Sequence, residues 1–91
     1  MKTYTQQESE SFLSNLDNWI FSDNAIEKKY QFKNFSEALA FIIQVGLLAE
    51  KLNHHPETLN VYNKVQIRLT THDANGVTEK DFELARRIEE I

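Results

Sequence analysis

The chain has 91 residues, 41% hydrophobic and 26% charged, with a formal net charge of -4 and a sequence pI near 5.3. That is an ordinary soluble composition, and its acidity argues against direct nucleic-acid binding and against an anionic membrane surface. There is no cysteine for a disulfide, thiol nucleophile or thiolate metal site. Met1 to Gln7 holds no apolar signal core, and no apolar run approaches membrane-spanning length, so no membrane partner is expected and the cytoplasm is the location by elimination.

The length predicts a single domain over residues 1–91 with a modest core, which oligomerisation would help to stabilise. Thr5-Gln6-Gln7-Glu8 has the form of a capping box, and Phe12, Leu13 and Leu16 follow at helical spacing. A first helix is therefore predicted from about Thr5 to Leu16. Trp19-Ile20-Phe21 suits a strand, Ser22-Asp23-Asn24 a turn, and Ala25 to Lys33 a second strand. In that strand Ile26, Tyr30 and Phe32 share one face and Glu27, Lys29 and Gln31 the other, with Lys28 interrupting the apolar side.

Asn34, with Glu37 as its capping partner, opens a long helix predicted to reach about Asn53. Ala38, Phe41, Ile42, Val45, Ala49 and Leu52 form one apolar stripe. Leu39, Ile43, Gly46 and Leu47 form a second on the far side, where Gly46 would permit close approach. A surface helix needs only one stripe. Two predict a helix that packs on the sheet with one face and on another subunit with the other, unless the first or last helix covers the extra face.

Pro56 cannot continue a helix and pushes His55 toward an extended conformation, so His54 is expected to end the helix and His55 to begin the turn. Leu59 to Tyr62 alternates as a third strand, and Asn63-Lys64 is the expected hairpin turn. Val65, Ile67, Leu69 and Thr71 then share one face of a fourth strand, and Gln66, Arg68, Thr70 and His72 the other. In the following loop Gly76 is able to take positive φ. The last helix starts with Thr78 as N-cap, Asp81 at its third position and a Val77–Phe82 staple, and buries Phe82, Ala85, Ile88 and Ile91. The order α-β-β-α-β-β-α predicts an α+β fold: a four-stranded antiparallel sheet with three helices packed on one face.

The three histidines, His54, His55 and His72, are the groups best suited to move protons near neutral pH. Residue pattern alone favours a blander account, three unrelated surface or capping histidines, because a histidine at a helix C-terminus is stabilised by the dipole. Zinc is a further alternative, but adjacent histidines are not the usual i, i+4 pair. Glu50, one turn before His54, is placed to orient an imidazole or simply to be solvated. Asp81 is accounted for by capping. Tyr62 reads as strand packing rather than a stacking surface.

Glu50, His54-His55-Pro56, Tyr62, His72 and Asp81 stand at the spacings of one family signature. It runs: a charged residue, three residues, His, His or Asn, Pro, an aromatic six or seven residues on, His or Trp after nine more, and a later Asp. Ala49 to Glu57 and Asn60 to Val65 also match closely. The chain thus resembles the pterin-4a-carbinolamine dehydratases over nearly its whole length. The resemblance implies a lyase that removes water from a 4a-hydroxytetrahydropterin to give the quinonoid dihydropterin. This recycles the pterin cofactor of aromatic amino acid hydroxylases and uses no metal or second cofactor. It implies His54 and His72 as acid/base residues, and His55 in the catalytic set as the residue orienting the pterin. Glu50, Asn53, Pro56 and Asp81 are implied to hold the substrate. It also implies a homodimer or homotetramer contacting through the central helix. The alternative is a non-catalytic module that docks a partner helix there. Two departures stand out: Thr58 and Leu59 replace aromatics common in relatives, and Gln66 replaces a histidine of some relatives.

Overall fold

The computed structural model describes residues Met1–Ile91. The elements are α1 (Gln6–Leu13), β1 (Ile20–Ser22), β2 (Ala25–Gln31), α2 (Phe35–Leu52), β3 (Glu57–Val61), β4 (Lys64–Leu69), a 3-10 turn (His72–Ala74) and α3 (Glu79–Glu89). The four strands form one antiparallel sheet in the order β1-β2-β4-β3. This is the α+β arrangement that the pattern of the sequence predicts.

Period-two alternation decides which side of the sheet is covered. Val65, Ile67 and Leu69 of β4 are buried while Lys64, Gln66 and Arg68 are not, and Ile26 and Tyr30 of β2 pair with Leu69 and Val65. This face meets Ala38, Phe41, Val45 and Ala49 of α2 and Phe82, Leu84, Ala85 and Ile88 of α3 in one core cluster. Helix α1 joins through aromatics. Phe12 stacks on Phe82 at 4.4 Å between centroids, and Tyr4 meets both rings edge-on. On the other face Glu27 is buried, contrary to its expected solvent position, because Arg68 and Gln66 cover its carboxylate at 3.0 and 2.6 Å.

The second stripe of α2 is bare. Leu39, Ile43 and Leu47 are 43%, 55% and 67% exposed, and neither α1 nor α3 covers them. At Gly46 an added Cβ would meet nothing within 4 Å.

Several boundaries differ from expectation, each for a local reason. Helix α1 stops at Leu13 rather than Leu16, with Ser14 as its C-cap, and Trp19 lies just before β1 with its ring buried. Asn34 caps α2 as expected, but Glu37 reaches back to the Lys33 N–H instead of completing a box with Asn34. Helix α2 ends before the histidines: Asn53 turns left-handed (φ 53°, ψ 42°), and the His54 N–H closes on the Ala49 carbonyl. So Asn53, not His54 or Pro56, terminates the helix. The hairpin turn is Tyr62-Asn63, one residue earlier than expected; Tyr62 takes φ 53° and is 63% exposed, so it does not pack in the sheet. Strand β4 stops at Leu69, and His72 sits in the 3-10 turn beyond it. Asn75 supplies the left-handed residue expected of Gly76 (φ 59°), while Gly76 packs closely, its Cβ position 3.3 Å from the Asn24 and Thr3 side chains. Ile91 is 49% exposed rather than buried.

Candidate functional site

The left-handed Asn53 swings the chain out of α2 and aims His54 toward α3. There its Nε2 lies 2.5 Å from Asp81 Oδ1. The His54 side chain is 10% exposed and that of Asp81 fully buried. A buried carboxylate needs partners, and Asp81 has them. Its Oδ2 accepts from the Thr78 backbone N–H and from the Thr71 hydroxyl, both at 2.9 Å. The first of these bonds is half of the capping box that starts α3, so one side chain both opens the helix and holds an imidazole.

His55 is not shielded in this way. Its side chain is 59% exposed, and its Nε2 lies 2.7 Å from Glu50 Oε1. Glu50 therefore does meet an imidazole, but that of His55 rather than of His54 one turn on. His72 is exposed in the 3-10 turn, and its link to the site runs through its neighbour. Thr71 bonds Asp81 with its side chain and closes the turn by backbone bonds with Gly76 (2.9 and 3.3 Å). Asn53 is exposed and Pro56 half-buried at the same bend.

A cleft of about 430 Å³ opens beside His54, walled by Phe12, Leu52 and Phe82 and rimmed by Glu79, Lys80, Glu83 and Arg86. Arg86 and Arg87 both pair with Glu83. His55 and His72 do not line this cleft. No three His, Asp or Glu side chains gather as a metal-ligating group, so the zinc alternative lacks a donor set. What is present suits proton transfer: a shielded imidazole on a carboxylate, and two exposed imidazoles nearby in the chain or across the Thr71 link.

Sequence reasoning found Thr78 as a cap but missed Thr71, the bond between the Thr71 and Thr78 hydroxyls, and the cleft lining from α1 and α3. One signal was available. Thr71 falls on the buried face of the β4 pattern, and a buried hydroxyl must find a partner.

The family model for pterin 4 alpha carbinolamine dehydratase matches residues 2–91. A protein of Opitutus terrae, provisionally named a pterin-4-alpha-carbinolamine dehydratase, is 50% identical over 88 residues, covering 96% of this chain and 91% of its own. One of Sulfurisphaera tokodaii, with the same provisional name, is 43% identical over 91 residues, covering 100% and 98%. The crystal structure of a transcriptional coactivator/pterin dehydratase from Brucella melitensis superposes with a TM-score of 0.92 at 44% identity, covering 98% of this chain and 97% of that one. A pterin dehydratase-like protein identified as a RuBisCO assembly factor in the alpha-carboxysome shares the fold at a TM-score of 0.67 and 20% identity, covering 80% and 87%. With the match running from Lys2 to the last residue, the chain belongs to the pterin-4-alpha-carbinolamine dehydratase family.

Proposed function

We propose that the protein dehydrates a 4a-hydroxytetrahydropterin to the quinonoid dihydropterin by histidine acid/base catalysis, recycling the cofactor of an aromatic amino acid hydroxylase. The observation that carries this reading is the shielded His54–Asp81 contact, whose imidazole lines a cleft, within a chain of this family. In the reaction the C4a–O bond breaks as the hydroxyl takes a proton and leaves as water. The neighbouring ring nitrogen gives up its proton and forms the new double bond to C4a. One imidazole, from His54 or His72, donates the first proton and the other accepts the second. His55, braced by Glu50, orients the pterin, with Asn53 and Pro56 shaping the bend that presents it. Asp81 supports His54.

The test is an assay in which the 4a-hydroxytetrahydropterin is generated in situ and its decay followed with and without protein. Acceleration over the spontaneous dehydration is expected, and none at micromolar protein would refute the reading.

A second reading rests on the bare Leu39–Ile43–Leu47 stripe of α2, a row of large apolar side chains facing solvent. In it the helix docks a second copy or a partner's helix, giving a homodimer or homotetramer or a non-catalytic binding module. Sizing of the purified chain checks self-association. A dimer or tetramer that Leu47→Lys converts to monomer supports the contact, and a stable wild-type monomer removes its support.

A further inference from the structure

The buried hydroxyls behind the site fix a proton order that neither the signature nor the fold specifies. As a carboxylate, Asp81 only accepts, so the hydrogen in its 2.5 Å contact with His54 belongs to the ring's Nε2. Thr71 has one hydroxyl hydrogen, which goes to Asp81 Oδ2 at 2.9 Å. The 2.8 Å contact between the Thr71 and Thr78 hydroxyls is then donated by Thr78. Thr78 Oγ1 in turn accepts from the Lys80 backbone N–H at 3.2 Å. The chain runs one way: Lys80 N–H to Thr78, Thr78 to Thr71, Thr71 to Asp81. Thr71 is 5% exposed and Thr78 and Asp81 are fully buried, so water does not replace any link cheaply.

We propose that Thr71 and Thr78 are positioning residues that hold Asp81 so that His54 is kept as its Nε2–H tautomer and offers unprotonated Nδ1 to the ligand. Asp81 divides its two oxygens: Oδ1 fixes the His54 ring, and Oδ2, through Thr71, anchors the turn that carries His72. One carboxylate thereby sets the spacing between two imidazoles from distant parts of the chain. The catalytic consequence rests on the dehydratase reading, but the tautomer does not.

The experiment is long-range ¹H–¹⁵N correlation of the histidine rings in wild type, Thr71→Val and Thr71→Ser, with kcat and KM for each. In wild type the neutral His54 ring should carry its hydrogen on Nε2 and leave Nδ1 bare. Thr71→Val should mix the tautomers, shift the His72 ring signals and lower kcat by about ten- to a hundredfold with little change in KM. Thr71→Ser, which keeps the hydroxyl, should restore all three. An Nδ1–H tautomer in wild type overturns the proposal without any variant, and so does a Thr71→Val protein with wild-type kcat and ring signals. An inactive wild type with the Nε2–H tautomer would fail the dehydratase reading alone.

Discussion

His54 and His72 differ in setting, one shielded on a carboxylate and one exposed on a tight turn, and both roles can be tested singly. Proton-transfer groups contribute about 100- to 10,000-fold. His54→Ala and His72→Ala should each lose activity on that scale in a steady-state assay, and losses under about tenfold in both would contradict the roles. Asp81→Ala is a different perturbation, since it strips the buried Thr71 hydroxyl and Thr78 N–H of their acceptor. It breaks only the Asp81 half of the capping box, since Thr78 still accepts from Lys80, yet it should cost stability as well as rate, about 2 kcal/mol in a urea titration. That the histidines are the candidate proton carriers was legible from residue type. Their partners were not, because a one-residue change of backbone hand at Asn53 sends His54 to Asp81 and leaves Glu50 to His55.

At the scale of elements, cap chemistry was readable wherever the cap is local. The Thr5–Glu8 and Thr78–Asp81 boxes and the Asn34 cap all stand where Ser, Thr, Asp or Asn precede an apolar pattern. The end of α2 near Asn53 was readable, but its cause was not, since Pro56 is the louder signal and Asn53 the operative one. A left-handed conformation is tolerated by glycine and asparagine and strained for alanine. Asn53→Ala should therefore destabilise by about 1 kcal/mol and Asn53→Gly by little or nothing, as read from denaturation midpoints. Equal losses in both would mean the side chain, not the backbone, matters there. The His72 turn escaped the strand pattern for a similar reason: Asn75 in left-handed geometry and the Thr71–Gly76 bridge close it, and neither follows from alternation of polar and apolar residues.

Across the whole molecule, the far end of α3 is tied to the sheet by one carboxylate. Glu89 sits in the last turn, where a negative charge opposes the helix dipole. It accepts from Lys28 and Tyr30 at 2.7 Å and from the Trp19 indole at 3.2 Å. This explains Lys28, the charge that breaks the apolar face of β2. Burial alone would raise the Glu89 carboxyl, but the bonds from Lys28, Tyr30 and Trp19 outweigh it and hold the group below its ordinary 4.5. A lowered folded value stabilises fully above the unfolded value and is lost as pH falls through the folded one. Glu89→Gln should thus lower Tm at neutral pH and flatten the loss of Tm expected of the wild type as pH falls below 4.5. Burial, then the bond to Glu89, pushes the Tyr30 hydroxyl far above its ordinary 10.0. Its contribution is complete below that value and is lost as pH rises past it, so phenolate absorbance from Tyr30 should emerge only with unfolding. Beyond the interruption at Lys28, this knot is not visible in the sequence, because Glu89 stands 59 to 70 residues from its three partners.

The most direct test of the account is whether His54, His55 and His72 serve one ligand. Titration with a non-reacting pterin, 7,8-dihydrobiopterin, followed through the ring signals of all three histidines, decides it. The account predicts that the three move together along a single saturation curve. A ligand that shifts His54 and leaves His72 untouched, or that shifts none of them, would contradict it.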